Sequence, residues 1–404
     1  MIKFNTYSIQ NITLYLYCFL LSIENIYFDV FFGVISVSKI GAIFYIATVF
    51  RYKSFFFLNR NFVLPLLVLS IHIAAISLIN INDLSYKIVD MEFLSNIVLF
   101  IVILNHSKKD PVVLEKGLLS FAMGAIFVSI LFFLGIGIDV SQDLRVTWLG
   151  AGHGEIGSKL AIAIIVILMI RKNLITRRFH LLLITSLPFI LLAILETGSR
   201  TSFLILVFSF ILWLIAQNFN KNINFISRYM HLFIGLIAAL FFLYIAINND
   251  VFIARFSNVI SEDSVNPLGG RLYLWEGFIR IIKDNYIFGL GFPGTELHTF
   301  LFRGGLESPH NVVIEVLLYA GIVGLFTYLQ FMYRVFSASY QVYKNSRNLL
   351  PILLLPAILA FHLTAQGLTE KIVWVLIAYI AGSFLYMKKK SKSKSKSHEN
   401  SNCN

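Results

Sequence analysis

Residues 117–138 read GLLSFAMGAIFVSILFFLGIGI, and none of these 22 side chains carries a charge. A helix of about 20 apolar residues crosses the hydrocarbon core of a bilayer. Because lipid offers the backbone no hydrogen-bond partners, an apolar run of this length predicts a transmembrane helix. The whole chain has the same bias, with 58% hydrophobic and 13% charged residues. Soluble domains carry about 25% charged residues, so this composition excludes an ordinary soluble protein.

Eleven other apolar blocks also have the composition of membrane spans. The predicted fold class is therefore all-α, a polytopic integral membrane protein with about twelve transmembrane helices. The predicted spans are roughly 9–28, 30–50, 62–80, 91–105, 117–138, 156–170, 180–196, 201–217, 231–247, 310–333, 349–366 and 372–387.

Lysine and arginine mark one side of the predicted bundle. With the N-terminus inside, 22 of the 33 basic residues and 3 of the 21 acidic residues fall in cytoplasmic segments. The opposite orientation would reverse this bias, so the positive-inside rule predicts that both termini are cytoplasmic. The formal net charge of +12 then reflects topology. No basic face of a soluble module accompanies it, so a nucleic-acid partner is not expected.

The predicted organisation has four parts. Residues 1–247 hold membrane helices 1–9 with an external loop at 139–155, and residues 310–387 hold helices 10–12. Residues 248–309 form a long external loop between them. The tail, 388–404, reads KKKSKSKSKSHENSNCN, a basic low-complexity composition that is typical of disorder. We expect this tail to lie in the cytoplasm near anionic lipid.

The long external loop is predicted to contain an amphipathic helix. Its apolar face consists of Leu272, Trp275, Ile279 and Ile282. Glu276 and Arg280 are four residues apart, in the order that stabilises a helix. Such a helix lies on the outer membrane surface or over the mouth of the bundle. Trp275 and Arg280 are therefore candidate substrate-binding residues.

Two arginines fall on the predicted outer side, against the charge bias. Arg200 occupies the tight turn TGSR between two spans, and Arg271 follows Gly269 and Gly270 at the start of the amphipathic helix. An arginine at a helix end commonly anchors in lipid headgroups, and the glycines are equally typical of a helix cap. The planar guanidinium also suits phosphate oxygens, and a helix N-terminus favours anions. For Arg200 taken alone, anchoring in headgroups is the favoured interpretation, whereas for Arg271 the residues leave both interpretations open.

His310 and Asn311 stand at the predicted start of the tenth span, directly after Pro309. The helix dipole there favours a neutral imidazole, which is the form that a general base requires. A lone interfacial histidine is more often a passive hydrogen-bonding group. Glu315 lies one turn beyond Asn311 on the same face, and a carboxylate inside a membrane usually has a function. Asn311 and Glu315 are candidate substrate-binding residues.

The first external loop holds a second group of polar residues. His153 and Glu155 follow Arg145 there, and all three are predicted to line the same external cavity. Two candidate ligands without companions make a weak metal site, so no metal and no cofactor is predicted. Cys18 and Cys403 are too few for a metal site or a disulfide framework.

The segment GLGFPG contains Gly289, Gly291 and Gly294 at the spacing of a dinucleotide-binding loop. No predicted strand precedes these glycines, and Pro293 interrupts them, so their context contradicts that function. A turn after the amphipathic helix is predicted instead.

Three segments, in this order, resemble the bacterial O-antigen polymerase and O-antigen ligase superfamily. They are TGSRTSFLIL at 197–206, GGRLYLWEGFIRIIKDNYIFGLGF at 269–292 and SPHNVVIEVLLYAGIVGL at 308–325. The motifs are short individually and specific together, and the resemblance covers roughly residues 145–325. The N-terminal spans agree with the family only in number and hydropathy.

The resemblance implies a glycosyltransferase of the bacterial cytoplasmic (inner) membrane, with its active site on the periplasmic face. Such proteins use undecaprenyl-diphosphate-linked glycans as donors, without a nucleotide sugar or a catalytic metal. The resemblance assigns catalytic roles to Arg200, Arg271 and His310, with Arg145 as a weaker match. The implied partners are the lipid-linked oligosaccharide, membrane lipids and, as a candidate, a chain-length regulator.

The expected activity is polymerisation of O-antigen, or of a related surface polysaccharide, by inverting glycosyl transfer. A ligase that transfers the glycan to lipid A–core is the alternative within the family. A transporter or flippase of the same lipid-linked glycan is the alternative of a different class. Transporters place charges near the bilayer midplane. Lys39 is nearly the only charge expected deep in the spans, which favours catalysis at one face.

Overall fold

The computed structural model describes residues 6–30, 33–80, 86–87, 90–140, 146–149, 152–218, 244, 247–248, 271–293, 309–364 and 367–401. Within these ranges the chain is mainly helical. The helices are α1 (Thr6–Ser22), α2 (Val37–Val49), α3 (Val63–Ile79), α4 (Met91–Lys109), α5 (Pro111–Phe133), α6 (His153–Met169), α7 (Arg177–Thr185), α8 (Leu187–Thr197), α9 (Arg200–Asn218), α10 (Arg271–Asp284), α11 (Val312–Ser346), α12 (Leu350–Leu353), α13 (Leu355–Thr364) and α14 (Lys371–Ser401). Short 3₁₀ helices cover Lys53–Phe55 and Lys172–Leu174.

Six short strands form three antiparallel pairs among the described residues. The pairs are β1 (Tyr27–Val30) with β2 (Gly33–Ser36), β3 (Tyr86–Lys87) with β6 (Phe292–Pro293), and β4 (Ile138–Val140) with β5 (Val146–Trp148). The strands occupy connections between helices.

Six of the described helices are long and apolar enough to cross a membrane, judged by length and composition. They are Met91–Lys109, Pro111–Phe133, Arg177–Thr197, Arg200–Gln217, Val312–Ser346 and Lys371–Ser391. Shorter apolar helices cover Ile9–Ser22, Val37–Val49, Val63–Ile79 and Leu350–Thr364. The protein is therefore a helical membrane protein. The total of about twelve spans stays a prediction, because the ninth expected span, 231–247, lies almost entirely outside the described residues.

The first two predicted spans differ from the structure. We expected helices over 9–28 and 30–50, whereas the β1–β2 hairpin occupies this junction. The hairpin strands are rich in aromatic and β-branched residues, which favour extended backbone. As a result, α2 begins only at Val37 and has 13 residues.

The basic tail also differs from its prediction. We expected disorder over 388–404, whereas α14 continues through Ser401. The apolar part of α14 provides an existing helix, so the tail does not have to meet the cost of nucleation. Lysine propagates a helix well, which explains why the basic segment extends the span.

The described chain contains two compact units. The first consists of Met1–Tyr45, Lys116–Leu268 and Ile352–Ala360, and the second of Ile46–Glu115, Gly269–Pro351 and Phe361–Asn404. In the first unit α6 packs against α8 and α9 and is buried continuously from Ile156 to Ile167. In the second unit α4 packs against α14, and α11 packs against α3, α10 and α14.

The helix α11 is interrupted at Gly321, whose φ of 58° and ψ of −161° are not helical. We predicted one continuous span over 310–333. The structure instead has two half-helices and continues to Ser346. An interruption inside a membrane leaves backbone groups that lipid cannot satisfy, so they need partners from the protein.

Residues 285–291, hereafter the strap, provide these partners. The hydrogen bonds run from the Leu290 N–H to the Leu318 carbonyl at 2.8 Å, from the Gly291 N–H to the Tyr319 carbonyl at 2.9 Å, and from the Ile322 N–H to the Tyr286 carbonyl at 2.8 Å. Gly289 and Gly291 have φ values of 80° and 82°. A Cβ on Gly289 would lie 2.5 Å from the Tyr319 carbonyl carbon. The turn predicted for these glycines is confirmed. Because these glycines have no side chains, the backbone of the strap can lie close to the backbone of α11.

Candidate active site

The turn between α8 and α9 presents Arg200. Gly198 has a φ of 57° and ends α8 in a left-handed cap. Ser199 then caps α9, because its Oγ accepts the Ser202 N–H at 3.3 Å. Arg200 is the first residue of α9 and is half-buried. A guanidinium at a helix N-terminus forms a local environment that attracts an anion.

A buried ion cluster in the same unit was not predicted from the sequence. Lys159 is 4% exposed, and its Nζ contacts Glu24 and lies 2.6 Å from Glu155 Oε1. Ser38 donates a hydrogen bond of 3.2 Å to Glu24 Oε2. Lys39, expected to be nearly the only deep charge, is exposed. The i,i+4 spacing of Glu155 and Lys159 was a sequence signal, but Glu24 is 135 residues from Lys159.

The polar residues expected in the first external loop are partly helical. His153 and Glu155 lie in the first turn of α6, where an acidic residue is favoured by the helix dipole. His153 Nδ1 is 3.4 Å from the Val146 carbonyl oxygen. The side chain of Glu155 is 24% exposed and is engaged with Lys159. Arg145 lies outside the described residues.

His310 and Asn311 together begin α11. Asn311 Oδ1 accepts the N–H groups of Val313 at 2.9 Å and Ile314 at 3.4 Å, which is the geometry of an N-cap. His310 has a φ of 47° and is half-buried. A positive φ is uncommon outside glycine, and such backbone is concentrated at functional sites. The turn places the imidazole at the start of the helix.

Glu315 lies one turn into α11 and is 6% exposed. Its carboxylate hydrogen-bonds with Tyr319 and experiences the charge of Asp90. The Oε2 atom is buried without a hydrogen-bond partner among the described residues. Asp90 caps α4 by accepting the Glu92 N–H at 2.8 Å and the Phe93 N–H at 2.9 Å. The N-terminal half of α11 therefore carries a buried carboxyl group, one oxygen of which has no hydrogen-bond partner among the described residues.

The indole of Trp275 connects α10 to the start of α11. Its Nε1 donates a hydrogen bond of 2.8 Å to the carbonyl of Pro309, the residue before His310. The buried face of α10 differs from the predicted one, since Phe278 is 1% exposed and Ile279 is 46% exposed. The helix packs on α11.

The two arginines of α10 are placed differently. Arg271 is the first residue of the helix, as predicted, and its side chain lies outside the described residues. Arg280 is exposed. The position of α10 outside the membrane stays a prediction.

His72 in α3 was not identified from the sequence. Its Nε2 lies 3.1 Å from the carbonyl oxygens of both Phe288 in the strap and Ala320 in α11. A single histidine in an apolar span carries no spacing signal, so only the folded chain shows that it meets the interrupted helix. It contributes to holding the N-terminal half of α11 in place.

The site residues fall into two groups with different chemistry. Arg200, His153 and Glu155 lie in the first unit, where the start of α9 attracts an anion. Trp275, Asn311, Glu315 and His310 lie in the second unit, where the start of α11 offers acceptors for a hydroxyl group.

Residues 181–329 match the family model described as O-antigen ligase. No curated protein matches the chain. The matched segment contains Arg200, Arg271 and His310, and it supports an activity of the ligase or polymerase kind. The resemblance to the O-antigen ligase and polymerase superfamily is thus confirmed over residues 181–329.

Proposed function

We propose that the protein is a glycosyltransferase that polymerises O-antigen, or a related surface polysaccharide, from undecaprenyl-diphosphate-linked repeat units. The observation that carries this proposal is the family match over residues 181–329, which includes Arg200, Arg271 and His310. The protein lies in the bacterial cytoplasmic membrane, and these residues face the periplasm. A chain-length regulator is a candidate partner.

Arg200 and Arg271 bind the diphosphate of the donor. The Ser199-capped start of α9 supports this role, because helix N–H groups and a guanidinium both stabilise phosphate oxygens. Arg271 likewise stands at the first position of α10. Arg145 and His153 contribute further contacts to the donor, while the engagement of Glu155 with Lys159 makes its contribution indirect.

His310 and its neighbours bind the acceptor hydroxyl. The N-cap geometry of Asn311 and the bond from Trp275 to Pro309 support a defined position for the imidazole. The buried Glu315 carboxylate supplies an acceptor oxygen one turn away. Arg280, exposed on α10, contacts outlying sugars.

In the reaction, the acceptor oxygen forms a bond to the anomeric carbon from the side opposite the diphosphate. The bond from that carbon to the diphosphate oxygen breaks, and its electron pair leaves with the diphosphate. The acceptor proton passes to His310, and the configuration inverts. The arginines stabilise the negative charge that develops on the leaving group. Because diphosphate is a good leaving group, positioning of the reactants contributes strongly.

The decisive experiment incubates the purified protein with lipid-linked repeat units and compares the glycan products of wild type with those of His310→Ala. We expect wild type to produce a ladder of longer lipid-linked glycans. In the variant, the rate of glycan extension should fall by about 100-fold or more. His310→Gln tests whether hydrogen bonding alone suffices. His180→Ala, a histidine outside the motifs, should retain the ladder. Full activity of His310→Ala would contradict the proposed role.

The ligase alternative is tested in the same assay by adding lipid A–core. Transfer that appears only with lipid A–core identifies a ligase. A ladder formed without it identifies a polymerase.

A flippase for the same donor is a second candidate. The buried charges of Lys159, Glu24 and Glu155 and the interrupted α11 favour it, because transporters contain both intramembrane charges and broken helices. Protein reconstituted in liposomes that translocates the lipid-linked glycan without extending it would establish this function instead.

A further inference from the structure

The ion cluster of Lys159, Glu24 and Glu155 connects two separate parts of the first unit. Glu24 follows α1, while Glu155 and Lys159 are one turn apart on α6. Lys159 and Glu24 are 4% and 7% exposed, so both charges are held inside the protein. Removing one partner of such a buried pair leaves an uncompensated charge inside the protein and is strongly destabilising. The cluster therefore fixes where the N-terminal half of α6 lies.

The same part of α6 contacts the turn that carries Arg200. Gly157 is so close to α9 that a Cβ on it would lie 2.7 Å from Ser199 Cβ and 2.8 Å from Ser202 Oγ. Ser199 and Ser202 flank Arg200 on both sides, and Ser202 is 0% exposed. Gly157 lies between Glu155 and Lys159 in sequence. A displacement of α6 at the cluster must therefore displace the start of α9.

We propose that Lys159, held by Glu24 and Glu155, is a positioning residue for Arg200. The cluster fixes α6, and the close contact between Gly157 and Ser199 transmits that placement to the guanidinium. This inference rests on the proposed role of Arg200 in binding the donor diphosphate. Lys159 itself contacts carboxylates and takes no direct part in the reaction.

The test separates the effect of the charge pair on donor binding from its effect on the folding of the protein. Lys159→Met alone leaves Glu24 buried without its cation and is expected to destabilise the protein. The double variant Glu24→Gln/Lys159→Met removes both charges and retains a hydrogen-bonding group for Ser38. We expect this variant to fold and to raise the KM for the lipid-linked donor by about 10- to 100-fold, with a smaller change in kcat. The charge-swapped variant Glu24→Lys/Lys159→Glu should recover part of the loss.

Ser22→Ala is the matched control. It removes a buried hydrogen bond of 2.7 Å from Ser22 to the Phe121 carbonyl in the same unit and leaves all three charges of the cluster unchanged. We expect it to change stability without a specific change in the donor KM. An equal rise in donor KM in this control would indicate general loosening and contradict the proposal.

A second readout is independent of catalysis. Ser202→Cys, in a protein with Cys403→Ser, should react slowly with a maleimide because position 202 is 0% exposed, and Cys18 is also 0% exposed. Adding Glu24→Gln/Lys159→Met should accelerate labelling by about tenfold or more if the start of α9 loosens. Unchanged labelling together with an unchanged donor KM would overturn the inference. If wild type shows no transfer, the proposed function fails, and labelling alone still decides whether the cluster positions the turn.

Discussion

The hydrogen bond from Trp275 to the Pro309 carbonyl holds the chain immediately before His310. Removing the donor leaves that carbonyl without this partner, at a local cost of about 1–3 kcal/mol. The imidazole at the next position would then sample more orientations. This bond is therefore a specific contact through which α10 influences the proposed acceptor site.

We predict that Trp275→Phe lowers transfer activity by about tenfold while the protein stays folded. The measurement is glycan extension per folded molecule, with the thermal midpoint as the stability readout. Trp374→Phe is the control, because it removes a comparable indole bond of 2.9 Å, to the Leu368 carbonyl, in the core of the second unit. The control should lower the thermal midpoint and retain activity. Unchanged activity in Trp275→Phe would show that this bond does not position His310.

Backbone hydrogen bonds join the interrupted helix α11 and the strap into one structural element. The N-terminal half of α11 carries Asn311 and Glu315, and strap hydrogen bonds satisfy the interrupted backbone beyond them. Gly321 permits the interruption, since its φ is 58°. A side chain there would also meet the strap, at 2.6 Å from the Phe288 nitrogen.

We predict that Gly321→Ala destabilises the protein more than Gly135→Ala. Both glycines have positive φ, 58° and 73°, so both substitutions include a cost in backbone strain of about 1–3 kcal/mol. Only Gly321 adds a clash, because no atom of the described residues lies within 4 Å of a Cβ on Gly135. Thermal unfolding of the purified protein measures the difference. Equal losses in the two variants would mean that the strap does not pack tightly on α11.

At the scale of the molecule, the distribution of lysine and arginine predicts which side of the membrane each connection faces. Asp139 and Lys344 are both exposed and fall on opposite predicted sides. In cells with a permeabilised outer membrane, Asp139→Cys should react with a membrane-impermeant maleimide, with Cys403→Ser as background. Lys344→Cys should react only after the inner membrane is opened. The reverse pattern would invert the proposed topology and remove the active site from the periplasm.

Local composition was sufficient to predict the membrane class and most of the described helices, whereas the three motifs were identified through the family resemblance. Apolar runs such as 117–138 have few alternatives in lipid, because the backbone must form its own hydrogen bonds there. The same locality explains why the start of a helix near His310, the helix beginning at Arg271 and the turn at Gly289 were all predictable: each depends on a few neighbouring residues.

Long-range contacts required the folded chain. Lys159 contacts Glu24, which is 135 residues away in the sequence, and His72 contacts Phe288, which is 216 residues away. No local sequence pattern could predict either contact. The interruption at Gly321 also depends on the strap, since a glycine in an apolar run is compatible with a continuous helix until another segment supplies hydrogen bonds. Helix formation in lipid follows from each segment's own composition. Which helices bend, and which charges are buried together, follows from the partners that folding brings into contact.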